Sequence, residues 1–195
     1  EAAWGAEVHH DWPHATVLPD VASLLAHASV LDLVVVASPT GEHAAHVRAA
    51  LAAGLHVLVE KPAGVYTGQV RKLLDTAAAH PELTTAIMFN QRTNKLYQDL
   101  RELVAGGTLG KLRHTSWIIT TWWRPQGYYD QSHWRATWGG EGGGVLVNQA
   151  PHQLDLWQWI CGVPTSVFAK LAFGFQRNIA VEDEVTAVVD FGGGA

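Results

Sequence analysis

Short apolar runs alternate with helix-like segments over the first half of the chain, and this alternation restricts the fold more than any other feature. Residues 31–36 and 56–60 are nearly continuous apolar runs, and a helical stretch that Gly54 ends lies between them. Such runs are typical of strands buried on both faces of a parallel sheet. A further helix over 67–80 and a strand over 84–89 continue the series. The pattern predicts an α/β fold with a doubly wound parallel sheet.

The pattern changes after residue 89. A helix is predicted over 94–105, and residues 111–123 alternate in part as antiparallel strands do. A second helix ends at Cys161, and two more strands are predicted over 166–175 and 183–191. We therefore expect an α/β domain over 1–89, followed by an α+β domain with a mainly antiparallel open sheet over 90–195.

Composition excludes several classes of partner. The net charge is -5, from 13 basic and 18 acidic residues, and no basic block is present, which disfavours nucleic-acid binding. No apolar run approaches the ~20 residues that a membrane span needs. The single cysteine, Cys161, allows no internal disulfide, and the histidines His9, His10 and His14 lack partners at metal-ligand spacing. We expect a cytoplasmic protein with a small-molecule ligand and no metal.

A charged pair ends the second predicted strand, where open parallel sheets bind their ligands. Glu60, Lys61 and Pro62 follow the apolar run directly. Partial desolvation at this place would favour the neutral form of Lys61, which could then accept a proton. The alternative is a surface lysine that merely follows a strand.

A second polar segment supplies Asn148 and His152, whose i, i+4 spacing predicts one shared helix face. A histidine titrates near neutrality and can shuttle protons, whereas an asparagine can anchor a hydroxyl but cannot take its proton. Two alternatives remain open. His152 could be a core histidine bonded to Asp155 or to backbone, and Asn148 could be the N-cap of the helix that contains Pro151.

The order of several motifs resembles the glucose-fructose oxidoreductase / inositol dehydrogenase family (Gfo/Idh/MocA). The motifs are residues 38–43, 60–62, 89–92, 134–135, 142–144, His152 with Asp155, and 181–184. The resemblance implies a Rossmann domain that binds NAD or NADP, and an NAD(P)-dependent oxidoreductase acting on CH-OH groups of sugars, polyols or their derivatives. Asn148 departs from the family, since many members carry Asp there.

The resemblance also implies site roles. Lys61 and His152 would handle the proton, Asn148 would anchor the substrate, and the Lys61–Pro62 bond would be cis and aim Lys61 inward. The cofactor-binding set would be Ser38, Pro39, His43, Glu60, Lys61, Pro62, Asn90, Trp134 and Arg135. The substrate set would be Arg92, Tyr128, Tyr129, Asn148 and His152. A packed loop is the alternative for Trp134 and Arg135.

The many aromatic residues of the second domain suit sugar stacking or a subunit interface. The resemblance favours a homo-oligomer through the second-domain sheet, with Trp117 and part of Trp122 and Trp123 at the interface. Tyr128, Tyr129 and Trp134 are the better candidates for the mouth of the substrate site.

The glycine fingerprint G-x-G-x-x-G of dinucleotide-binding turns is absent from the sequence. The resemblance implies that this turn, with the residue that distinguishes NAD from NADP, precedes Glu1, and that more of the sheet follows Ala195. We therefore expect residues 1–195 alone to bind a dinucleotide poorly. Two other functions stay open: a cofactor-bound sugar sensor or regulator without turnover, and an NAD-dependent elimination or glycoside cleavage with internal cofactor recycling.

Overall fold

The first half of the chain forms a parallel α/β unit, as predicted. The structure, a computed structural model, describes residues 11–120 and 123–192. Strand order in the three-stranded sheet is β1-β2-β3, and both pairs are parallel. In chain order the elements are α1 (Val21–Leu25), β1 (Leu33–Val36), α2 (Thr40–Ala52), β2 (His56–Val59), α3 (Thr67–Ala78) and β3 (Thr85–Ile87).

Local sequence signals explain where these helices begin and end. The Asp20 carboxylate accepts a hydrogen bond from Ser23 N at 2.7 Å and caps α1. Gly54, just beyond the end of α2, has φ +79°, a conformation that glycine adopts without steric strain. Helix α3 ends at Ala78, before the predicted stop at Pro81.

The core of this unit lies between α2, α3 and one face of the sheet. Val47, Leu51 and Val59 are each fully buried within one apolar cluster. The prediction that β1 is buried on both faces is wrong, because Leu33 and Val35 are 49% and 57% exposed. Side chains alternate along a strand, so these two residues face away from the cluster that contains α2.

The second half contains four helices and an antiparallel strand pair among its described residues. After a 3-10 turn at Asn90–Thr93 come α4 (Lys95–Ala105), α5 (Gln126–Asp130), α6 (Val145–Asn148), α7 (Pro151–Cys161), β4 (Ser166–Phe173) and β5 (Glu182–Asp190). Strands β4 and β5 pair from Ser166 with Asp190 to Phe173 with Glu182. The predicted α+β character of this half is confirmed.

The predicted strand over 111–123 is wrong for the part that the structure describes. Residues 112–120 form no ladder. Residues 114–119 line a cavity of about 610 Å³ together with residues of α7 and β5. A strand requires a hydrogen-bonded neighbour at ~4.8 Å, and residues 112–120 pair with no described strand. Within residues 11–120 and 123–192, no helix is long and apolar enough to cross a membrane.

Candidate active site

Lys61 lies directly after β2 and links the two halves of the chain. Its Nζ donates a hydrogen bond to the backbone carbonyl of Asn148 at 2.8 Å. The Lys61–Pro62 peptide bond is cis, as predicted. Burial lowers the pKa of Lys61 below its ordinary value, the charges of Glu60 and Glu141 oppose that shift, and Arg124 adds to it. The net direction favours the neutral amine that a proton acceptor requires.

His152 lies in the first turn of α7, close enough to Lys61 for their charges to interact. Burial lowers the pKa of His152, and the Lys61 charge lowers it further. Its ring meets Phe89 edge to face, with centroids 6.1 Å apart. Within the described part of the chain, the buried Nδ1 makes no hydrogen bond. Nδ1 therefore does not bond Asp155, whose carboxylate binds Arg92 at 2.7 and 2.5 Å.

Asn148 is the last residue of α6, and a separate helix begins at Pro151. The prediction of one helix face for Asn148 and His152 is wrong, because Pro151 has no N–H with which to continue the first helix. The N-cap of α7 is Ala150, so the alternative that Asn148 caps this helix is also wrong. Its side-chain Nδ2 instead donates to the Glu141 carboxylate.

The glycine loop, residues 139–144, holds this segment against both halves of the chain. A Cβ on Gly140 would lie 2.1 Å from the Trp134 carbonyl oxygen, and one on Gly142 would lie 2.3 Å from that of Val65. Such distances exclude any side chain at these positions unless the backbone moves. The glycines therefore allow a close approach between backbones, which positions Asn148 near Lys61.

Two buried acids form hydrogen bonds that anchor the glycine loop. Neither was predicted from the sequence to be a site residue. Glu141 is 2% exposed and accepts from Ala136 N at 2.6 Å. Glu182 is 3% exposed, and its Oε1 accepts from Gly144 N at 2.9 Å and Leu146 N at 3.1 Å. An acid inside a glycine run was the available signal for Glu141.

The carboxyl ends of β1 and β2 bring the predicted cofactor residues of the first half to one edge. His43 is buried, and its two ring nitrogens lie 2.7 Å from the carbonyl oxygens of Ser38 and Pro62. The ring therefore lies between the two loops. The Glu60 carboxylate accepts from Lys61 N at 3.2 Å. This edge is open beside Pro39, and it fits the ligand position expected at the carboxyl ends of parallel strands.

The loop before the glycine loop forms an aromatic and cationic cluster. Arg135 donates to the Tyr128 hydroxyl at 2.6 Å and stacks over Trp134, 4.6 Å from its centroid. Tyr129 lines a pocket of about 310 Å³ together with Gln149 and Arg177. Gln149 was not predicted, and it is a further polar group beside Asn148.

The remaining predicted residues lie around this centre. Asn90 is exposed at the start of the 3-10 turn after β3, and Arg92 is held by Asp155. Neither described cavity is lined by Lys61 or His152, so geometry and charge identify the site rather than cavity size. Among the described residues, no cluster of His, Cys, Asp or Glu side chains could hold a metal ion, although His9 and His10 lie outside them.

Sequence and structure comparisons agree on one family. Residues 3–87 match the model of the oxidoreductase family with an NAD-binding Rossmann fold, and residues 97–195 match the GFO/IDH/MocA C-terminal domain. The WlbA dehydrogenase of Chromobacterium violaceum, solved with NADH and UDP-GlcNAcA, is 30% identical with a TM-score of 0.86. The match covers 100% of this chain and 54% of that one.

Curated relatives give the same result. The uncharacterized oxidoreductase YdgJ of Escherichia coli (strain K12) is 33% identical over 85% of this chain and 46% of its own length. The D-glucoside 3-dehydrogenase of the same organism is 34% identical over 75% of this chain and 40% of its own length. The chain thus spans about half the length of the curated relatives it matches. With an NAD-binding Rossmann unit followed by the matching C-terminal domain, the chain belongs to the Gfo/Idh/MocA oxidoreductase family.

Proposed function

We propose that the protein is an NAD(P)-dependent dehydrogenase that oxidises a CH-OH group of a sugar, a polyol or a sugar derivative. The observation that carries this proposal is the bond from Lys61 Nζ to the Asn148 carbonyl, beside His152 and at the carboxyl end of β2. Two groups with lowered pKa values beside the carboxyl end of a parallel strand support a proton-transfer site there.

The residues divide the work of alcohol oxidation. NAD or NADP, when bound, accepts the hydride from the carbinol carbon. Lys61, in its neutral form, accepts the hydroxyl proton, and His152 passes that proton toward solvent. The Asn148 amide anchors a neighbouring hydroxyl. This anchoring role requires no proton transfer to Asn148, and an amide side chain could not accept a proton.

The cofactor would lie along the edge formed by the loops after β1 and β2. We propose Ser38, Pro39, Glu60, Lys61, Pro62, Asn90, Trp134 and Arg135 as its neighbours, with His43 holding the two loops together. The WlbA relative was solved with NADH, which supports a nicotinamide cofactor for this protein.

The substrate would lie between Lys61 and the second half of the chain. We propose Tyr128, Tyr129, Asn148 and His152 as its neighbours, and we keep Arg92 as an outer member because its guanidinium binds Asp155. A sugar substrate is supported by the D-glucoside 3-dehydrogenase and by the UDP-GlcNAcA ligand of the WlbA relative.

We also propose a cytoplasmic homo-oligomer that buries one face of the strand pair β4–β5. Phe168 and Val188 are a cross-strand pair, 77% and 71% exposed, and large exposed apolar surface marks an interaction site. Ile118 is 83% exposed and Trp123 63% exposed, whereas Trp117 stacks on Tyr97 with centroids 6.4 Å apart. Trp122, also predicted at the interface, lies outside the described residues.

A panel of sugars and polyols tests the activity directly. Each compound is mixed with the full-length protein and NAD or NADP, and absorbance of the reduced nicotinamide is followed. Wild-type protein should reduce the cofactor with at least one compound, and Lys61→Ala should do so far more slowly. Ligand-induced thermal stabilisation without reduced cofactor would contradict the dehydrogenase. That result would favour the sensor or the internally recycled reaction.

A further inference from the structure

Glu141 is a buried acid whose hydrogen bonds come from neutral donors. Its side chain is 2% exposed, and burial of a carboxylate is unfavourable unless its oxygens are bonded. Oε2 accepts from Ala136 N at 2.6 Å, and Oε1 accepts from Asn148 Nδ2. Because neither donor carries a charge, the negative charge of Glu141 still acts on its neighbours.

The bond from Asn148 sets which way its amide points. A carboxylate only accepts hydrogen bonds, so Nδ2 of Asn148 must face Glu141 and Oδ1 must point elsewhere. The backbone carbonyl of the same residue accepts from Lys61 Nζ at 2.8 Å. One residue therefore connects the buried acid with the amine.

Charged groups from both halves of the chain act on Lys61. Glu60 is its neighbour in the chain and Glu141 belongs to the glycine loop, and both raise its pKa. Arg124 lowers it, and Lys61 in turn lowers the pKa of His152. Glu141 is thus the acid of the second half of the chain that raises the pKa of the Lys61 amine.

We propose that Glu141 is a positioning residue: it orients the Asn148 amide, and its carboxylate acts together with the Asn148 carbonyl on the Lys61 amine. The kinetic consequence of this role rests on the proposed dehydrogenase function, whereas its effects on the amide and on the lysine do not. Nothing in the reaction requires Glu141 to touch the substrate.

Lysine side-chain NMR of the full chain tests the proposal without turnover. The Lys61 signal is identified with Lys61→Arg and titrated in wild type, Glu141→Gln and Glu182→Gln. In Glu141→Gln the midpoint should move to lower pH, because a charge that favours the protonated amine is gone. Glu182→Gln is the matched control, since Glu182 is equally buried and bonds the same loop without acting on Lys61. An unchanged midpoint in a folded Glu141→Gln would overturn the proposal.

The wild-type Asn148 amide gives a measurement that needs no variant at Glu141. One Nδ2 proton should resonate downfield of the amide protons of exposed Asn90 and Asn94, and that signal should disappear in Asn148→Ala. Amide protons like those of the exposed asparagines would overturn the orienting role, even if Glu141→Gln fails to fold.

Kinetics provide a further measurement. The acidic limb of the kcat/KM profile should move to lower pH in Glu141→Gln and return toward wild type in Glu141→Asp, which keeps the charge. If kcat of Glu141→Gln falls while the acidic limb of its kcat/KM profile stays in place, the role of Glu141 is merely structural. If no sugar or polyol is oxidised by wild type, the proposed function fails, and the NMR midpoints still decide the role of Glu141.

Discussion

The parallel-sheet half buries a continuous apolar cluster, whereas several buried polar groups bond the elements of the half that follows it. Val47, Leu51 and Val59 of the first half are each 0% exposed in a single cluster. In the second half, Glu182 bonds two loop amides, and Arg177 and Asp183 form an ion pair with side chains 9% and 2% exposed.

The two parts of the candidate site therefore depend on different interactions. Lys61 stands at the end of a strand that apolar packing holds rigidly, so its position depends on side-chain volume. Asn148 ends the four-residue helix α6, which glycine contacts and a buried carboxylate hold in place, whereas His152 lies in the first turn of α7. Variants in the two halves should therefore fail in different ways.

The largest effect is expected on catalysis and concerns both halves. Lys61→Ala and His152→Ala should each lower kcat by about 10²- to 10⁴-fold, the usual contribution of a proton-transfer group. Asn148→Ala should mainly raise KM, as an anchor that binds ground and transition states alike would do. Steady-state kinetics with the active panel compound measure all three. An Asn148→Ala enzyme as impaired in kcat as Lys61→Ala would show that the roles are misassigned.

A stability comparison of the two halves comes next. Leu51→Ala should lower the free energy of unfolding by about 2–5 kcal/mol, because it leaves a cavity in the apolar cluster. Phe168→Ala, at a side chain 77% exposed on β4, should change it by less than about 0.5 kcal/mol in the monomer. Urea unfolding measures both values. Equal losses would contradict the burial of Leu51 in the apolar cluster and the exposure of Phe168.

Two glycine variants, one in each half, compare the halves at the level of the backbone. Gly142→Ala should destabilise by about 1–3 kcal/mol, because φ is +79° and a Cβ would lie 2.3 Å from the Val65 carbonyl oxygen. Gly68→Ala is the control, since nothing lies within 4 Å of its added Cβ in α3. That variant should be neutral or stabilise by up to about 1 kcal/mol. Thermal unfolding distinguishes them, and a harmless Gly142→Ala would show that the loop can move.

The smallest expected effect is the pH dependence contributed by His152. Its pKa is lowered on folding, so between the ordinary value of 6.5 and the folded value the unfolded chain binds more protons. Stability should therefore fall as pH falls below about 6.5 through that window. His152→Gln should show a shallower loss than wild type in urea titrations at successive pH values. A wild-type slope identical to that of His152→Gln would contradict the lowered pKa.

Much of the fold could be predicted from local patterns. Gly54 marked the end of a helix, and the apolar runs predicted the parallel strands with only small errors at their ends. The strand predicted over 111–123 failed, because alternation shows that a segment can be a strand but does not show that a partner lies beside it. Pro151 signals the break between Asn148 and His152, because a proline fits only the first turn of a helix, and the alternative that Asn148 caps this helix put the cap two residues too early.

The sequence by itself determined the residue types and the order of the motifs, which place a lysine after a strand and a histidine in a later helix. Only the tertiary structure decided which groups meet. It turned the Asn148 amide toward Glu141, gave Asp155 to Arg92 rather than to His152, and placed the His43 ring between two backbone carbonyls. Periodicity and propensity describe neighbours along the chain, whereas hydrogen bonds across many residues depend on how the halves pack. A buried carboxylate such as Glu141 is therefore recognised only when the donors around it are in place.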